Sequence, residues 1–290
     1  MIPEPIPSTP RDGASGSQPP EPRSGPGRGP AADGLPRATL YIAALPRSGS
    51  TMLANLLSTP PDRWILVEPG LHSSPLSPTL PHQINRFLAA SAGGGPAAPV
   101  AVETPRRLLL KSLADFLPTL SAWGLKEVGT EHRAVIASTR PHKTIILVRD
   151  IRDALLSLLE KHNQPGRYWE PEAQMTYLAE CCTTLIGLAR DRDPNTRICR
   201  YEDLVSSPAE RQALAAWLSW PLDGDVTRNL DLYRRDYEVA RHRGTISTGS
   251  VGRYDREPND TRAAVAHRFG AMLDDFSRTF GYGAAVPGHE

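Results

Sequence analysis

The sequence predicts an α/β protein with a P-loop-containing three-layer α/β/α fold built on a central parallel sheet. Three observations carry this prediction. Short apolar, β-branched runs alternate with longer helical stretches, the pattern of parallel strands joined by crossover helices. The run Thr144–Val148 is apolar almost throughout, as suits a strand buried on both faces. The run ending at Leu45 passes through a tight loop of small residues directly into helix formers, the order that makes a phosphate cradle.

Each element follows in turn. Residues 1–36 are Pro, Gly, Ser and Arg with almost no bulky apolar side chains, so they cannot offset their ordering entropy and read as a disordered N-terminal tail. The folded domain is expected over 37–283, with a short C-terminal tail at 284–290. Strand Thr39–Leu45 leads through the loop into helix Ser50–Leu57, and a second strand, Arg63–Val67, ends at Glu68-Pro69. Residues 72–104 are rich in Pro, Gly, Ala and Ser without periodicity, the signature of a long lid, a substrate loop or disorder. A helix over Arg106–Ser121, a strand over Gly124–Val128 and a helix over Glu131–Thr139 precede the buried strand Thr144–Val148. Helices Ile151–His162 and Pro171–Arg190, a strand Thr196–Cys199, and helices Pro208–Leu218 and Asp260–Phe280 complete the chain, which has no internal repeat.

Bulk properties narrow the function. The 290 residues permit one sizeable domain, and a net charge of +1 provides no basic field for nucleic acid. Cys181, Cys182 and Cys199 cannot form a disulfide framework, which suits a reducing compartment. No His, Cys, Asp and Glu cluster has zinc-like spacing, so no metal is expected. The N-terminus has no charged-then-apolar leader and the chain no membrane-length apolar run, so a cytoplasmic protein without a membrane partner is expected.

Two motifs carry the chemistry. In Pro46-Arg47-Ser48-Gly49-Ser50-Thr51 the backbone N–H groups and the helix N-terminus favour an oxyanion; Gly49 tolerates positive φ, and Ser50 and Thr51 add hydroxyl donors. Laid on the nucleotide loop G-x-x-x-x-G-K-[ST], Gly49 takes the second glycine and Thr51 the Ser/Thr, but Ala44 replaces the first glycine and Ser50 the lysine. The basic residue of the loop is Arg47 instead, which argues against ordinary kinase chemistry. In the second motif, strand Thr144–Val148 ends in Arg149, and Ser157 follows about two helical turns on, so the two are placed to share one phosphate. An ATPase would put an aspartate at that strand end for Mg²⁺. The competing reading of Arg149 is a structural ion pair with Asp150 or Asp153.

The first loop resembles the 5′-phosphosulfate loop of the PAPS-dependent sulfotransferases, especially the carbohydrate, tyrosylprotein and bacterial members. Arg149 and Ser157 resemble that family's 3′-phosphate site, with Arg149-Asp150-Ile151-Arg152 in place of its usual Arg-Asp-Pro-Arg. Arg200-Tyr201-Glu202-Asp203-Leu204 is similar to the family's strand-to-helix Tyr-Glu-Asp-Leu and reads as structural, a turn and cap. Gly249-Ser250-Val251-Gly252-Arg253-Tyr254 resembles the loop that folds over the cofactor, where Arg253 would add charge; the alternative is a flexible glycine loop with a solvated arginine. Phe280-Gly281-Tyr282 resembles the usual end of the domain. The resemblance implies PAPS as co-substrate, held by Arg47, Ser48, Gly49, Ser50, Thr51, Arg149, Ser157 and Arg253. It also marks a departure, since the eukaryotic carbohydrate enzymes are anchored in the Golgi membrane.

Sulfuryl transfer is analogous to phosphoryl transfer, in which positioning and charge stabilisation dominate. Arg47 and the Ser48–Thr51 backbone are placed to meet charge on the bridging oxygen. Glu68, at a strand carboxyl end, is the expected base for the acceptor's proton, as in related enzymes with a glutamate in this region, and His72 is the alternative. Lys126 either steadies the leaving phosphate or pairs with Glu127. The expected function is sulfuryl transfer from PAPS to a hydroxyl of a carbohydrate, lipid or small natural product. The alternatives are a small-molecule kinase with a divergent loop and a non-catalytic nucleotide-binding scaffold. No motif in 72–104 or 163–173 identifies the acceptor.

Overall fold

A computed structural model describes residues 34–72, 76–91, 100–101, 104–162, 169–191, 193–222 and 246–282. The expected N-terminal tail as far as residue 33 and the expected C-terminal tail lie outside the described residues. In chain order the elements are β1 (Leu40–Ala44), α1 (Ser50–Leu57), β2 (Arg63–Val67), α2 (Leu80–Ser91), α3 (Arg106–Phe116), β3 (Ala122–Val128), α4 (His132–Thr139), β4 (Lys143–Val148), α5 (Ile151–His162), α6 (Pro171–Arg190), β5 (Thr196–Arg200), α7 (Tyr201–Ser206), α8 (Pro208–Leu218) and α9 (Asn259–Phe280).

The five strands form one sheet in the order β2-β3-β1-β4-β5, with every neighbouring pair parallel. Side chains alternate across it, as the two-residue strand period requires. Leu40, Ile42 and Ala44 of the central strand pack with Leu53, Ala54 and Leu57 of α1 and Leu214 and Leu218 of α8. Tyr41 and Ala43 belong to the opposite core with Leu155, Leu178, Leu185 and Phe276. The expected three layers are therefore present. Because all strands run the same way, the loops after β1, β2, β3 and β4 and the start of α7 meet along one edge, where open α/β sheets place their ligand crevice.

Two expectations need correction. Part of 72–104 is helical: α2 buries Leu80, Ile84 and Phe87, and the Phe87 ring stacks on Trp64 at 4.6 Å. Three anchors in a Pro/Ala background give little local signal, and packing against the sheet stabilises the helix instead. The expected helix Arg106–Ser121 stops at Phe116 and continues as a 3₁₀ turn, Leu117–Thr119. Pro118 lacks the N–H that another α-turn would need.

Candidate active site

The loop after β1 is a tight turn in which Ser48 N–H donates to the Leu45 carbonyl at 3.1 Å. Arg47 and Gly49 have left-handed backbones, φ 65° and 78°. Gly49 is the N-cap of α1, whose first turn has no side-chain cap and no acidic residue. A β-carbon on Gly49 would stand 2.5 Å from the Tyr201 ring, so glycine is required by both conformation and space. The buried Ser48 Oγ has no hydrogen-bond partner among the described residues. An orphaned hydroxyl, an uncapped helix start and a loop arginine fit an anionic group here.

Arg149 is buried behind this loop. It donates to the Arg47 carbonyl at 3.2 Å, to Asp153 at 3.5 Å and to the Ser250 carbonyl, and its guanidinium lies 4.9 Å from the Tyr201 ring centre. The structural ion pair is thus with Asp153, while Asp150 is taken by Arg152. The Ser157 hydroxyl accepts from Arg47 Nε at 3.1 Å. Asp153 holds Arg149 at the first turn of α5, whereas Arg47 reaches a turn farther along that helix. The loop after β1 and the Arg149–Ser157 motif are joined directly by these contacts.

Tyr201, read from sequence as part of a structural turn, belongs to this site. It lies in α7, covers Gly49, stacks on Arg149, and its hydroxyl hydrogen-bonds the Ser250 hydroxyl at 2.8 Å. The neighbouring Glu202 accepts from the Asp150 N–H at 3.0 Å and the Tyr282 hydroxyl at 2.8 Å, and burial raises its pKa. The glycine loop is anchored by Tyr254 N–H donating to Asp153 at 2.7 Å. Its Arg253 lies against α5, paired with Glu160 at 2.6 Å and Glu257 at 3.7 Å. Arg253 is therefore held by two carboxylates and is not a solvated arginine.

The other half of the crevice lies beyond β2 and β3. Glu68 has a left-handed backbone, φ 48°, and its N–H donates to the Lys126 carbonyl at 2.7 Å. Its carboxylate is 2.5 Å from the Lys126 ammonium; the lysine is 1% exposed and the glutamate 49%. Lys126 therefore pairs with Glu68 and not with Glu127, because consecutive residues of a strand face opposite sides. Glu127 instead accepts from the Gly70 N–H at 2.9 Å, and burial pushes its pKa up to about 8. His72 is not solvated: it is 15% exposed and sits 2.6 Å from Glu131. Behind it, the buried Tyr41 hydroxyl and His132 Nδ1 share a 2.6 Å hydrogen bond, and burial pushes the His132 pKa down to about 4. Burial likewise pushes the Cys181 and Cys199 thiols up to about 12, so neither is a ready nucleophile.

Among the described residues, no group of three or more His, Cys, Asp or Glu is arranged to hold a metal ion. None of the helices there is long and apolar enough to cross a membrane.

Comparison with known proteins adds to this geometry. No protein-family model and no curated protein sequence matches the chain. Its fold is similar to the sulfotransferase domain of the Synechococcus PCC 7002 olefin synthase, with a TM-score of 0.60 and 18% identity over 86% of this chain and 96% of that one. It is also similar to the sulfotransferase domain from the curacin biosynthetic pathway, with a TM-score of 0.53 and 14% identity over 86% of this chain and 99% of that one. At these identities the likeness is one of fold.

Proposed function

We propose that this chain is a PAPS-dependent sulfotransferase acting on a hydroxyl of a carbohydrate, lipid or small natural product. The observation that carries the reading is the union of the two anion motifs: Arg149 donates to the Arg47 carbonyl, and Arg47 donates to Ser157. The sulfotransferase-like fold supports it. PAPS, when bound, supplies the sulfuryl group and a bisphosphate leaving group. Arg47 and the Ser48, Gly49, Ser50 and Thr51 backbone at the start of α1 would hold its 5′-phosphosulfate. The orphaned Ser48 Oγ provides one further polar contact. Arg149 and Ser157 would hold the 3′-phosphate, and Arg253 would add a contact to it on leaving its Glu160 pairing.

Glu68 is the proton acceptor in this reading. It sits at the same sheet edge as the loop, half exposed, and Lys126 fixes its carboxylate. The acceptor hydroxyl would lose its proton to that carboxylate. The experiment is incubation with ³⁵S-labelled PAPS and a panel of sugars, phenols and long-chain alcohols. Label should pass to an organic acceptor, and about 10²- to 10⁴-fold more slowly with Glu68→Gln. Phosphoryl transfer from ATP with Mg²⁺, without transfer of label from PAPS, would replace this reading with a kinase.

A further inference from the structure

The turn that carries Glu68 is held from both faces of β3. Lys126 pairs in register with Ile42 and Val67, on the α1 side of the sheet, whereas Glu127 pairs with Ala43 on the opposite side. Lys126 takes the Glu68 side chain and Glu127 takes the Gly70 N–H. The turn between them needs holding, because Glu68 and Gly70 are both left-handed, at φ 48° and 62°. For the non-glycine Glu68 such a backbone is uncommon and carries strain. Two backbone bonds help: Glu68 N–H to the Lys126 carbonyl at 2.7 Å, and Ser77 N–H to the Pro69 carbonyl at 3.1 Å. At Gly70 itself the N–H donates to the Glu127 carboxyl at 2.9 Å.

We propose that Glu127 is a positioning residue, tethering the Gly70 amide so that the Glu68 carboxylate is presented at the carboxyl edge of the sheet. This rests on the reading of Glu68 as proton acceptor. Glu127 is 7% exposed, an expensive place for a carboxyl group unless its hydrogen bond matters to the site. Burial favours its neutral form near neutral pH, so it accepts from Gly70 without placing a full negative charge beside Glu68.

The test uses the full chain labelled with ¹⁵N-glycine, with the Gly70 amide assigned by Gly70→Ala. Glu127→Ala should speed hydrogen exchange at Gly70 by about tenfold, the worth of one such bond, while the amides of β1 are unaffected. Glu127→Gln keeps an acceptor oxygen and should restore protection. Unchanged exchange in Glu127→Ala, or an equal rise throughout β1, overturns the tether. With an acceptor from the ³⁵S panel, Glu127→Ala should lower kcat about 10- to 100-fold with KM for PAPS unchanged. It should add no further loss in a Glu68→Gln background, since it acts through Glu68; an additive loss contradicts the proposal. Wild-type turnover in Glu68→Gln overturns the proton-acceptor reading and the catalytic part of this inference, whereas lost protection at Gly70 would still support the tether.

Discussion

The Lys126 ammonium and the Glu68 carboxylate meet at 2.5 Å at the carboxyl edge of the sheet, the lysine buried and the glutamate half in solvent. An ammonium taken out of water costs several kcal/mol unless paired, so the buried partner depends on the exposed one. The asymmetry leaves one side of Glu68 open to an incoming molecule while its position is set from behind.

Lys126→Met should therefore leave stability within about 1 kcal/mol of wild type, because an apolar residue of similar length replaces a buried charge and Glu68 remains solvated. It should lower kcat about 10- to 100-fold through lost orientation of the carboxylate. Urea unfolding and ³⁵S transfer check the two halves, and an unchanged kcat would separate Lys126 from the chemistry.

Gly49→Ala forces a β-carbon into the Tyr201 ring at a left-handed residue. A loss of about 1–3 kcal/mol is expected, together with weakened binding of adenosine 3′,5′-bisphosphate. Adding Tyr201→Ala removes the collision, so the double variant should lose less stability than the two single changes summed. Additive losses in thermal unfolding would show that Tyr201 does not press on the loop.

Arg149→Ala and Ser157→Ala should separate fold from binding. Removing Arg149 weakens bisphosphate binding by about 10- to 100-fold, the worth of a charge-assisted contact. It also lowers the melting temperature, because Asp153, 1% exposed, loses its cationic partner. Ser157 is a partly buried hydroxyl hydrogen-bonded to Arg47, and its loss should weaken binding with little change in melting. Calorimetry and thermal unfolding on both variants provide the comparison.

Glu127 makes a pH prediction. Its folded pKa of about 8 lies above the ordinary 4.5, so its contribution to stability is fully present below about 4.5 and is lost as pH rises through about 8. The cause is burial, with Glu68 and Glu131 adding to it. Between pH 5.5 and 8.5, wild type should lose stability relative to Glu127→Gln, which cannot ionise. Parallel denaturation curves across that range would show that the carboxyl is not held in its neutral form.

Much of the scaffold was legible in the sequence. Helices Ser50–Leu57, Ile151–His162, Pro171–Arg190 and Pro208–Leu218 and strand Arg63–Val67 fall where the sequence pattern put them. Short, β-branched runs separated by helices also predicted the parallel sheet. The side-chain partnerships were less legible. Arg149 and Ser157 have the spacing to share one phosphate, but the hydrogen bond from Arg47 to Ser157 spans 110 residues of sequence, and no local pattern encodes it. Tyr201 sits in a stretch that reads as turn and cap, and its role appears only when α7 folds against Gly49. Lys126 and Glu127 look like a natural pair in one dimension. The register Val67↔Lys126 was the signal that separates them, since it brings Glu68 to Lys126 and leaves Glu127 facing the other layer.

The central claim is that the two joined motifs hold a nucleotide bearing both a 5′- and a 3′-phosphate. The measurement that tests it most directly is calorimetric binding of adenosine 3′,5′-bisphosphate against ADP with Mg²⁺ on the full chain. The bisphosphate should bind at least about tenfold more tightly, since ADP leaves the Arg149 site without its phosphate contact. Equal or tighter binding of ADP with Mg²⁺ would contradict the account.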